Sequence, residues 1–514
     1  MKTVDPDSSN NISSKQGATL LISLLVVALC GIVYELNIGT ISSYLLGNSV
    51  YQFSITVGLF MFSMGIGSYV TKFLNDRYVE NFIAIEIAIA VVGGLSGIIL
   101  FTVFPFARIF YELAMYASIF LIGCLVGMEI PILTSLLSLQ RGAKQTIADV
   151  MSFDYLGALI GSVAFPLLLL PSLGLLHTSF VIGLINALVA FSTLIVFRKM
   201  VRRFNYFMAV SVVALVLLTL CNIFGVFFTR FAEKHLYFDQ IVHSEQTPYQ
   251  KLVFTRSTNF KDHRLFIDGN IQFSSRDEYR YHEYLVHPAM SVPGPRERIL
   301  VLGGGDGLAL REVLKYKDVI KVDLVDIDPR IIELAKNLPT LRNLNHESFA
   351  DERVSSHNED AFTFLNRVGP KYDRVIMDFP DPHNEALSKL YSKEFYTIVR
   401  KRLAMGGVIV TQSSSPFFAR RAFWCINATI KTIFDQTIAY NVALPSFGIW
   451  GFNMATHGTQ FPSTWNFSVS TKAILAETFS KALIFDKDLG PVDTQVNSLF
   501  MPKLYQYYAE DIRN

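Results

Sequence analysis

The first half of the chain is almost continuously apolar from residue 17 to residue 229, with only short polar links. A helix needs about 20 apolar residues to cross the roughly 30 Å hydrocarbon core of a bilayer. A cleaved signal peptide would explain only the first apolar stretch, and no small-residue cleavage site follows it. The sequence therefore predicts a multi-span α-helical membrane domain of about seven spans: 18–38, 51–72, 83–104, 114–138, 151–173, 178–197 and 207–228. The long run that begins at Ala107 leaves room for an eighth or re-entrant segment.

Basic residues are distributed unevenly among the links between these spans. One set contains the N-terminal tail and every second link: Lys2, Lys15, Lys72, Arg77, Arg141, Lys144, Arg198, Lys199, Arg202 and Arg203. The opposite set contains only Arg108, Arg230 and Lys234. Because cytoplasmic loops are enriched in Lys and Arg, this asymmetry places the N-terminus in the cytoplasm. Seven spans would then place residues 235–514 outside.

Acidic residues also lie within or near the apolar stretches: Glu35, Glu86, Glu112, Glu129, Asp149 and Asp154. Ionisable groups are costly in lipid, so they suggest a functional site. They would suit a path for a cationic ligand. The alternative is that they lie near helix ends or pair with basic and backbone groups inside the bundle.

From about residue 235 the density of charged residues becomes that of an ordinary globular domain, which marks a boundary. The formal net charge of +2 is too close to balance to indicate a nucleic-acid surface. The four cysteines are scattered without a CxxC pair, so neither a disulfide framework nor a zinc site is indicated. We predict a polar tail (1–16), a transmembrane domain (17–229), a β-hairpin region (235–295) and an α/β domain (296–514).

The second half alternates between strand and helix patterns. Residues 250–273 read as a hairpin around Asp268-Gly269, and 276–291 as a helix. Short apolar strands then alternate with helices, beginning at Arg298-Ile-Leu-Val-Leu and continuing to Gly407-Val-Ile-Val-Thr. This order predicts a doubly wound, largely parallel sheet that binds ligands beyond the carboxyl ends of its strands.

A glycine-rich loop, Gly303-Gly304-Gly305-Asp306-Gly307, follows the first of these strands, and Asp326 closes the second. Such a loop lets a ligand approach the backbone, and an acid at the end of the next strand can accept hydrogen bonds from ribose hydroxyls. Asp306 disfavours a dinucleotide, whose pyrophosphate would have to rest beside it. An acid in the loop instead favours a nucleoside that carries positive charge, such as an S-adenosyl sulfonium.

Two carboxylates, Asp378 and Asp381, follow a later strand in the segment Asp378-Phe-Pro-Asp-Pro382. At the mouth of a strand they would hold a polycation and remove a proton from one of its ammonium groups. The alternative is a polar loop whose acids cap helices.

These segments, together with several others in order, resemble the signature of the spermidine synthase (polyamine aminopropyltransferase) family. The further matching segments are Tyr249-Gln250, Leu265 to Gln272, Asp277 to Glu283, His287-Pro-Ala289, Leu308 to Leu314, Asp326-Ile-Asp328, Glu359-Asp-Ala361 and Leu390 to Tyr396. The similarity covers most of 249–411, and the apolar first half resembles the membrane-fused branch of the family. The resemblance implies a Rossmann-like, methyltransferase-type domain and transfer of an aminopropyl group from decarboxylated S-adenosylmethionine to a diamine, most simply putrescine. Methylthioadenosine would be released, with no metal and no permanently bound cofactor.

The resemblance also implies roles for individual residues. The cofactor-binding residues would be Gln250, Gly303, Gly305, Asp306, Asp326, Asp360 and Ala361. Asp306 would bind the aminopropyl ammonium group, and Asp378 would accept the proton. Tyr281, His282 and Asp381 would position the amine acceptor, and Trp450, after Pro445-Ser446, resembles a late segment of the acceptor site.

The chain departs from the family pattern at three positions. Asp326 stands where the family usually has Glu. Phe379-Pro380 replaces the usual Ser-Thr between the two carboxylates, and Glu385 replaces a proline. These changes leave both carboxylates in place and leave the acceptor open among putrescine, cadaverine, agmatine and longer amines.

Two other functions remain to be distinguished: an S-adenosylmethionine-dependent methyltransferase and a membrane polyamine sensor or transporter with a ligand-binding synthase-like domain. We expect a multi-pass protein of the cell (inner) membrane that forms a homo-oligomer, a dimer, and binds no nucleic acid. Because decarboxylated S-adenosylmethionine is made in the cytosol, we expect the catalytic domain on the cytoplasmic side. That orientation requires an eighth crossing or a miscounted span.

Overall fold

The computed structural model describes residues 13–46, 49–138, 142–225, 227–228, 236–237, 239–258 and 261–513. The chain divides into two compact units between Phe238 and Asp239. The first is called the helical unit below, and the second the α/β unit. The predicted tail, 1–16, lies largely outside the described residues.

The helical unit contains long apolar helices that expose large hydrophobic side chains around their outer faces, for example Met61, Leu167 and Val213. An outer surface of this kind is typical of helices that contact lipid rather than water. The described helices are α1 (Ser14–Leu46), α2 (Ser49–Val70), α3 (Tyr78–Phe106), α4 (Tyr111–Leu137), α5 (Ala143–Ala164), α6 (Leu170–Val196) and α7 (Phe204–Ile223).

Six continuous helical stretches are long and apolar enough to cross a membrane, and the fifth of them, Ala143–Val196, has 54 residues. At 1.5 Å per residue that stretch would be about 80 Å long, more than twice the hydrocarbon core. A short π-helix, Phe165–Leu169, joins α5 to α6, and Gly174 is non-helical there, with φ 70° and ψ 179°.

The contacts with α1 show that the chain reverses at Gly174. On α5, Gly157 packs against Leu25 and Gly161 against Leu29, so α5 runs parallel to α1. On α6 the order is the opposite. Asn37 donates to the carbonyl of Leu175, and Ser23 lies beside Thr193. The 54-residue stretch is therefore two antiparallel helices, which gives seven helical passes in the described residues.

The run that begins at Ala107 contains no additional pass. It forms a single 3₁₀ turn, Arg108–Phe110, followed by α4. Glycines bring α4 close to α2: a Cβ on Gly127 would lie 2.1 Å from the carbonyl oxygen of Met64. Small residues allow this approach between helices, as is common in membrane proteins.

The α/β unit begins with a four-stranded antiparallel sheet in the order β1-β2-β3-β4. Its strands are β1 (Gln240–Gln246), β2 (Lys251–Arg256), β3 (His263–Ile267) and β4 (Asn270–Ser274). Strands β3 and β4 are joined at Asp268 and Gly269, both with positive φ, the backbone that a tight hairpin turn requires.

A seven-stranded sheet follows, in the order β10-β11-β9-β8-β5-β6-β7. Strands β5 to β9 pair in parallel, and β10 and β11 pair antiparallel at one edge. The strands are β5 (Arg298–Gly303), β6 (Lys321–Asp326), β7 (Val354–Asn358), β8 (Tyr372–Asp378), β9 (Leu403–Gln412), β10 (Gln436–Leu444) and β11 (Gly448–His457).

Helices cover both faces of this sheet, because the central strands are apolar on both sides. On β5, Ile299 and Val301 belong to one buried cluster, and Leu300 and Leu302 to another on the opposite face. The helices of this unit are α8 (Glu278–Ser291), α9 (Leu308–Val313), α10 (Pro329–Asn337), α11 (Pro339–Leu344), α12 (Ala361–Asn366), α13 (Glu385–Ser388), α14 (Lys393–Arg402), α15 (Arg420–Lys431), α16 (Ala476–Ala482) and α17 (Lys503–Arg513).

Candidate active site

The strand order of the seven-stranded sheet reverses between β5 and β8, which leaves a crevice beyond their carboxyl ends. Open α/β sheets bind ligands at such a point. A cavity of about 630 Å³ lies there. It is lined by every residue to which the sequence assigned a site role: Gln250, Tyr281, His282, Gly303, Gly305, Asp306, Asp326, Asp360, Ala361, Asp378, Asp381 and Trp450.

The loop after β5 passes so close to neighbouring groups that only glycine fits at two positions. Gly303 has φ 76°, and a Cβ on it would lie 2.2 Å from the carbonyl oxygen of Asp378. A Cβ on Gly305 would lie 2.7 Å from Oδ2 of Asp326 and 2.5 Å from Ile331. The loop therefore packs directly against the ends of β6 and β8, and its glycines also line the cavity.

Asp306 and Asp326 line the part of the cavity beside this loop. Oδ1 of Asp306 accepts from the backbone N–H of Leu308 at 2.9 Å, and Oδ2 of Asp326 accepts from Gly305 N–H at 3.0 Å. Burial raises the pKa of both carboxyls to about 6. Both are therefore mostly ionised at neutral pH, although their charge is only partly compensated, which suits a cationic ligand.

Asp378 ends β8 and lies between two groups from α8. Tyr281 Oη donates to Oδ1 of Asp378 at 2.6 Å, and Nε2 of His282 lies 3.9 Å from Oδ2. Burial raises the pKa of the Asp378 carboxyl, while the charge of His282 and the hydrogen bond from Tyr281 oppose that shift. A buried carboxylate with a raised pKa is suited to accept a proton.

His282 is itself held by Glu278, one turn earlier on α8. Nδ1 of His282 lies 2.9 Å from Oε2 of Glu278, and Arg311 binds the same carboxylate through two contacts of 2.8 and 2.9 Å. Burial alone would lower the pKa of His282, but the hydrogen bond and charge of Glu278 outweigh burial and raise it to about 9. A charged imidazolium therefore lies among the carboxylates and lowers the pKa of Asp306 and Asp378.

Asp381 lies at a different part of the cavity and is contacted by the C-terminal helix. Tyr508 on α17 donates to Oδ2 of Asp381 at 3.0 Å, and Ser414 Oγ lies 3.3 Å from the same oxygen. Oδ1 of Asp381 is buried without a hydrogen-bond partner among the described residues, and so is Nε1 of Trp450. Burial raises the pKa of Asp381 to about 6. The unpartnered oxygen is available to a donor on a ligand.

Gln250 and Asp360 line the cavity, but their side chains already have protein partners. Gln250 donates to Asp328 at 2.9 Å. Asp360 accepts from the N–H of Thr363 at 3.1 Å as the cap of α12, and from Lys389 at 3.0 Å. A carboxylate oxygen has more than one lone pair, so Asp360 retains the capacity to accept from a ligand.

The structure adds site residues to which the sequence gave no role: Glu278, Arg311, Gln412, Ser414 and Tyr508. Glu278 and His282 are four positions apart, about one helical turn, so the predicted helix already indicated that the two side chains lie next to each other. Gln412 ends β9, beside Asp378 at the end of β8. Tyr508 had no signal, because it lies 127 residues from Asp381.

A second acidic cluster, Glu283, His287 and Glu312, brings its ligand-type atoms within 4.8 Å of one another. Its acceptors are already satisfied by protein donors. Glu283 accepts from the backbone N–H groups of residues 472–474, and Glu312 is bound by His287 and Lys315. The cluster therefore anchors the segment before α16, and its geometry gives no reason to assign a metal ion.

A glycine loop at the switch point, an acid at the end of β6 and a second group of acids at the end of β8 form an arrangement typical of an enzyme that binds a nucleoside beside a cationic group. Comparisons with known proteins agree with that class. The spermine/spermidine synthase domain profile matches residues 278–466. A polyamine aminopropyltransferase of Leptospira interrogans is 41% identical over 96% of this chain and 98% of its own length. Polyamine aminopropyltransferase 1 of Streptomyces coelicolor is 42% identical over 96% of this chain and 94% of its own length.

These matches extend over both units, so the relatives share the helical half as well. The chain belongs to the polyamine aminopropyltransferase family and is an enzyme of the spermidine synthase type. Among solved structures, a spermidine synthase in complex with the transition-state analogue AdoDATO is 24% identical. The aligned region covers 49% of this chain and 88% of the length of that synthase, with a TM-score of 0.45.

Proposed function

We propose that this enzyme transfers the aminopropyl group of decarboxylated S-adenosylmethionine to a diamine, with putrescine as the expected acceptor, and releases methylthioadenosine. One observation carries the proposal: three partly buried carboxylates, Asp306, Asp378 and Asp381, line a single cavity beside the glycine loop. Their negative charge would complement an acceptor with an ammonium group at each end and a co-substrate that carries a sulfonium.

The nucleoside would lie against Gly303, Gly305 and Asp326, with Gln250, Asp360 and Ala361 around it. Asp306 would then face the aminopropyl ammonium group. Ordinary S-adenosylmethionine carries a carboxylate beside that amine, and an ionised Asp306 in a buried site would repel it. The decarboxylated form carries only the ammonium group, so Asp306 would select it.

The reaction is a displacement in which the acceptor nitrogen attacks the methylene carbon attached to sulfur. An N–C bond forms, the C–S bond breaks, and its electron pair stays on sulfur, which becomes a neutral thioether. A primary ammonium group has a pKa of about 10.4, so the acceptor must lose a proton before it attacks. Asp378 is proposed to take that proton, and alignment of the two substrates would supply much of the remaining rate.

Tyr281 and His282 would hold Asp378 in position, and Asp381 would bind the distal ammonium group of the acceptor. The unpartnered Oδ1 of Asp381 supports this role, because an N–H of the substrate would complete its hydrogen bonding. Trp450 would pack against the methylene chain of the acceptor. Its Nε1 is buried without a hydrogen-bond partner among the described residues.

The test incubates the enzyme with decarboxylated S-adenosylmethionine and an equimolar mixture of putrescine, cadaverine and agmatine. Mass spectrometry then identifies the products. We expect methylthioadenosine and spermidine as main products. Asp378→Asn should lower kcat by roughly 10² or more, and Asp306→Asn should mainly raise KM for the co-substrate. Asp488→Asn, an exposed acid of the same unit, is the matched control and should retain activity.

Two results would contradict the proposal. S-adenosylhomocysteine produced from S-adenosylmethionine would indicate methyl transfer instead. Turnover by Asp378→Asn at the wild-type rate would remove the assigned base.

We also propose that the helical unit spans the cell membrane and that the α/β unit faces the cytoplasm. Seven membrane crossings would put the N-terminus and the α/β unit on opposite sides, whereas the basic residues of the links favour a cytoplasmic N-terminus. We give precedence to substrate supply, because a doubly charged sulfonium made inside the cell does not cross lipid unaided. In inside-out vesicles, protease should cleave the α/β unit. Cleavage only in right-side-out vesicles would reverse this orientation.

A further inference from the structure

The interior of the helical unit contains two acidic side chains that the transferase reaction does not use. Glu86 on α3 is fully buried, and Glu129 on α4 is 2% exposed. Phe104 packs against Tyr111 near the link between α3 and α4, and Glu86 and Glu129 each lie about five turns further along their helices, so the two acids lie at the same depth. Both oxygens of Glu86 and Oε1 of Glu129 lack a hydrogen-bond donor among the described residues.

Other buried polar groups in the same part of the bundle also lack partners. Tyr34 on α1 is 1% exposed, its Oη has no partner among the described residues, and its ring packs against Gly93, about two turns along α3 from Glu86. Asn186 on α6 is fully buried, and neither its Oδ1 nor its Nδ2 has a partner among the described residues.

The helix contacts place Asn186 about one turn from the depth of Glu86. Helices α3 and α6 run antiparallel, because a Cβ on Gly97 would touch Ser179 and a Cβ on Gly183 would touch Gly94. Continuing the Gly97–Ser179 register by about three turns brings Ala190 level with Glu86, so Asn186 lies one turn away on the face of α6 that packs against α3. The unpartnered groups of α1, α3, α4 and α6 therefore lie within about two turns of one another in the interior of the bundle.

The unpartnered atoms in this region are mostly acceptors. They include three carboxylate oxygens and one amide oxygen, whereas Tyr34 and Asn186 provide the only unpartnered donors among them. None of the ion pairs found among the described residues includes Glu86 or Glu129. The basic residues of this unit lie in its links and at helix ends, as at Lys72, Arg77, Lys144 and Arg198.

A ligand that brings positive charge and several N–H groups would satisfy a buried pair of acids with excess acceptors. We propose that Glu86 and Glu129, with Tyr34 and Asn186, form a binding site in the helical unit for an alkylammonium group of a polyamine. Each primary ammonium group carries three N–H donors, which match the unpartnered oxygens. This site is separate from the active-site cavity and does not depend on the reaction proposed there.

The first experiment uses the unmodified full-length protein in lipid nanodiscs and dicyclohexylcarbodiimide, an apolar reagent that modifies protonated carboxyls in membranes. Peptide mass spectrometry reads the modification of Glu86 and Glu129 separately from that of Glu112, an exposed acid on α4. We expect spermidine at ten times its dissociation constant to lower labelling of the buried pair by about tenfold. Labelling of Glu112 should not change. Octane-1,8-diol, of similar length but uncharged, should not protect.

Labelling that spermidine leaves unchanged would overturn the proposal and indicate a pair that only shares a proton. Absence of labelling at both glutamates while Glu112 reacts would overturn it as well, because a ligand site must be accessible.

The second experiment measures equilibrium binding of radiolabelled spermidine to the same nanodiscs. Glu86→Gln with Glu129→Gln should lose one bound equivalent and retain transferase activity, which reports folding, while Glu112→Gln keeps the wild-type stoichiometry. An unchanged stoichiometry in the double variant would refute the site. Should that variant fail to fold, the labelling experiment on the unmodified protein decides whether the site binds spermidine.

Discussion

Tyr281 donates a 2.6 Å hydrogen bond to Oδ1 of Asp378, and the two residues are 97 positions apart in the chain. This bond joins the first helix of the α/β unit to the strand that ends at the proposed base. It fixes one oxygen of Asp378 and leaves the other, Oδ2, beyond hydrogen-bond distance of His282. A base held in this way has one oxygen directed by the protein and one available to the substrate.

Removing this hydrogen bond should affect turnover more than binding. We expect Tyr281→Phe to lower kcat by about 10- to 100-fold, because hydrogen bonds to charged groups contribute about 1.5–3 kcal/mol. Tyr279→Phe, on the same helix but outside the cavity, should behave like the wild type. Steady-state kinetics with putrescine measure both variants, and equal kcat values for the two would contradict the assigned role of Tyr281.

Acceptor affinity should depend on Tyr508. Tyr508→Phe removes the hydrogen bond to Asp381 without changing the volume of the ring, and we expect KM for the diamine to rise by about tenfold with KM for the co-substrate unchanged. The neighbouring Tyr507→Phe is the control, since Tyr507 does not line the cavity. A rise in both Michaelis constants would instead indicate a general disturbance of α17.

The pH dependence of kcat/KM should show an acid limb near pH 6. Burial raises the pKa of Asp306 and of Asp381 to about 6, so both become protonated below that pH and lose their attraction for ammonium groups. We therefore expect kcat/KM to rise with pH through about 6 and then to level off. Because the hydrogen bond from Tyr508 lowers the pKa of Asp381, Tyr508→Phe should move part of the limb to higher pH. A limb near pH 4 would contradict these raised pKa values.

The glycine loop should tolerate no added methyl group at Gly305. In Gly305→Ala, the Cβ would meet Asp326 and Ile331, so the loop or Asp326 must shift. We expect KM for decarboxylated S-adenosylmethionine to rise by at least tenfold, measured by initial rates. Gly490→Ala is the matched control, since a Cβ there would make only ordinary contacts of 3.5 Å or more. Unchanged affinity in Gly305→Ala would show that the nucleoside does not depend on this loop.

The sequence predicts those parts of the fold that a local pattern encodes. Strands β5, β6 and β8 are short apolar runs that end in glycine or aspartate, so both the parallel core and the carboxylates at its edge could be read from the chain. Strands β10 and β11 could not, because their antiparallel addition at the edge depends on contacts with β9 that are distant in sequence. The sequence pattern already separates α5 from α6 as the spans 151–173 and 178–197. The contacts of α1 with Gly157, and through Asn37 with α6, agree with that division, although the helical stretch is continuous from Ala143 to Val196.

The same distinction holds in the site. Asp306, Asp326, Asp378 and Asp381 stand at or just after the carboxyl ends of strands, where the sequence predicts ligand binding, and all four line the cavity. The charge on His282 was not predicted, because it requires Glu278 and the bidentate contact with Arg311 to be buried together. Long-range contacts of this kind have no local sequence pattern.

The contact between α17 and Asp381 has a consequence for biosynthesis. At 5–20 residues per second, a ribosome needs roughly 6–25 s to proceed from Asp381 to Tyr508, 127 residues later. During that interval the nascent enzyme has its proposed base and its glycine loop but lacks one side of the proposed acceptor pocket. If Asp381 binds the acceptor as proposed, translation beyond Tyr508 sets the earliest moment at which a newly made molecule can bind it as the mature one does.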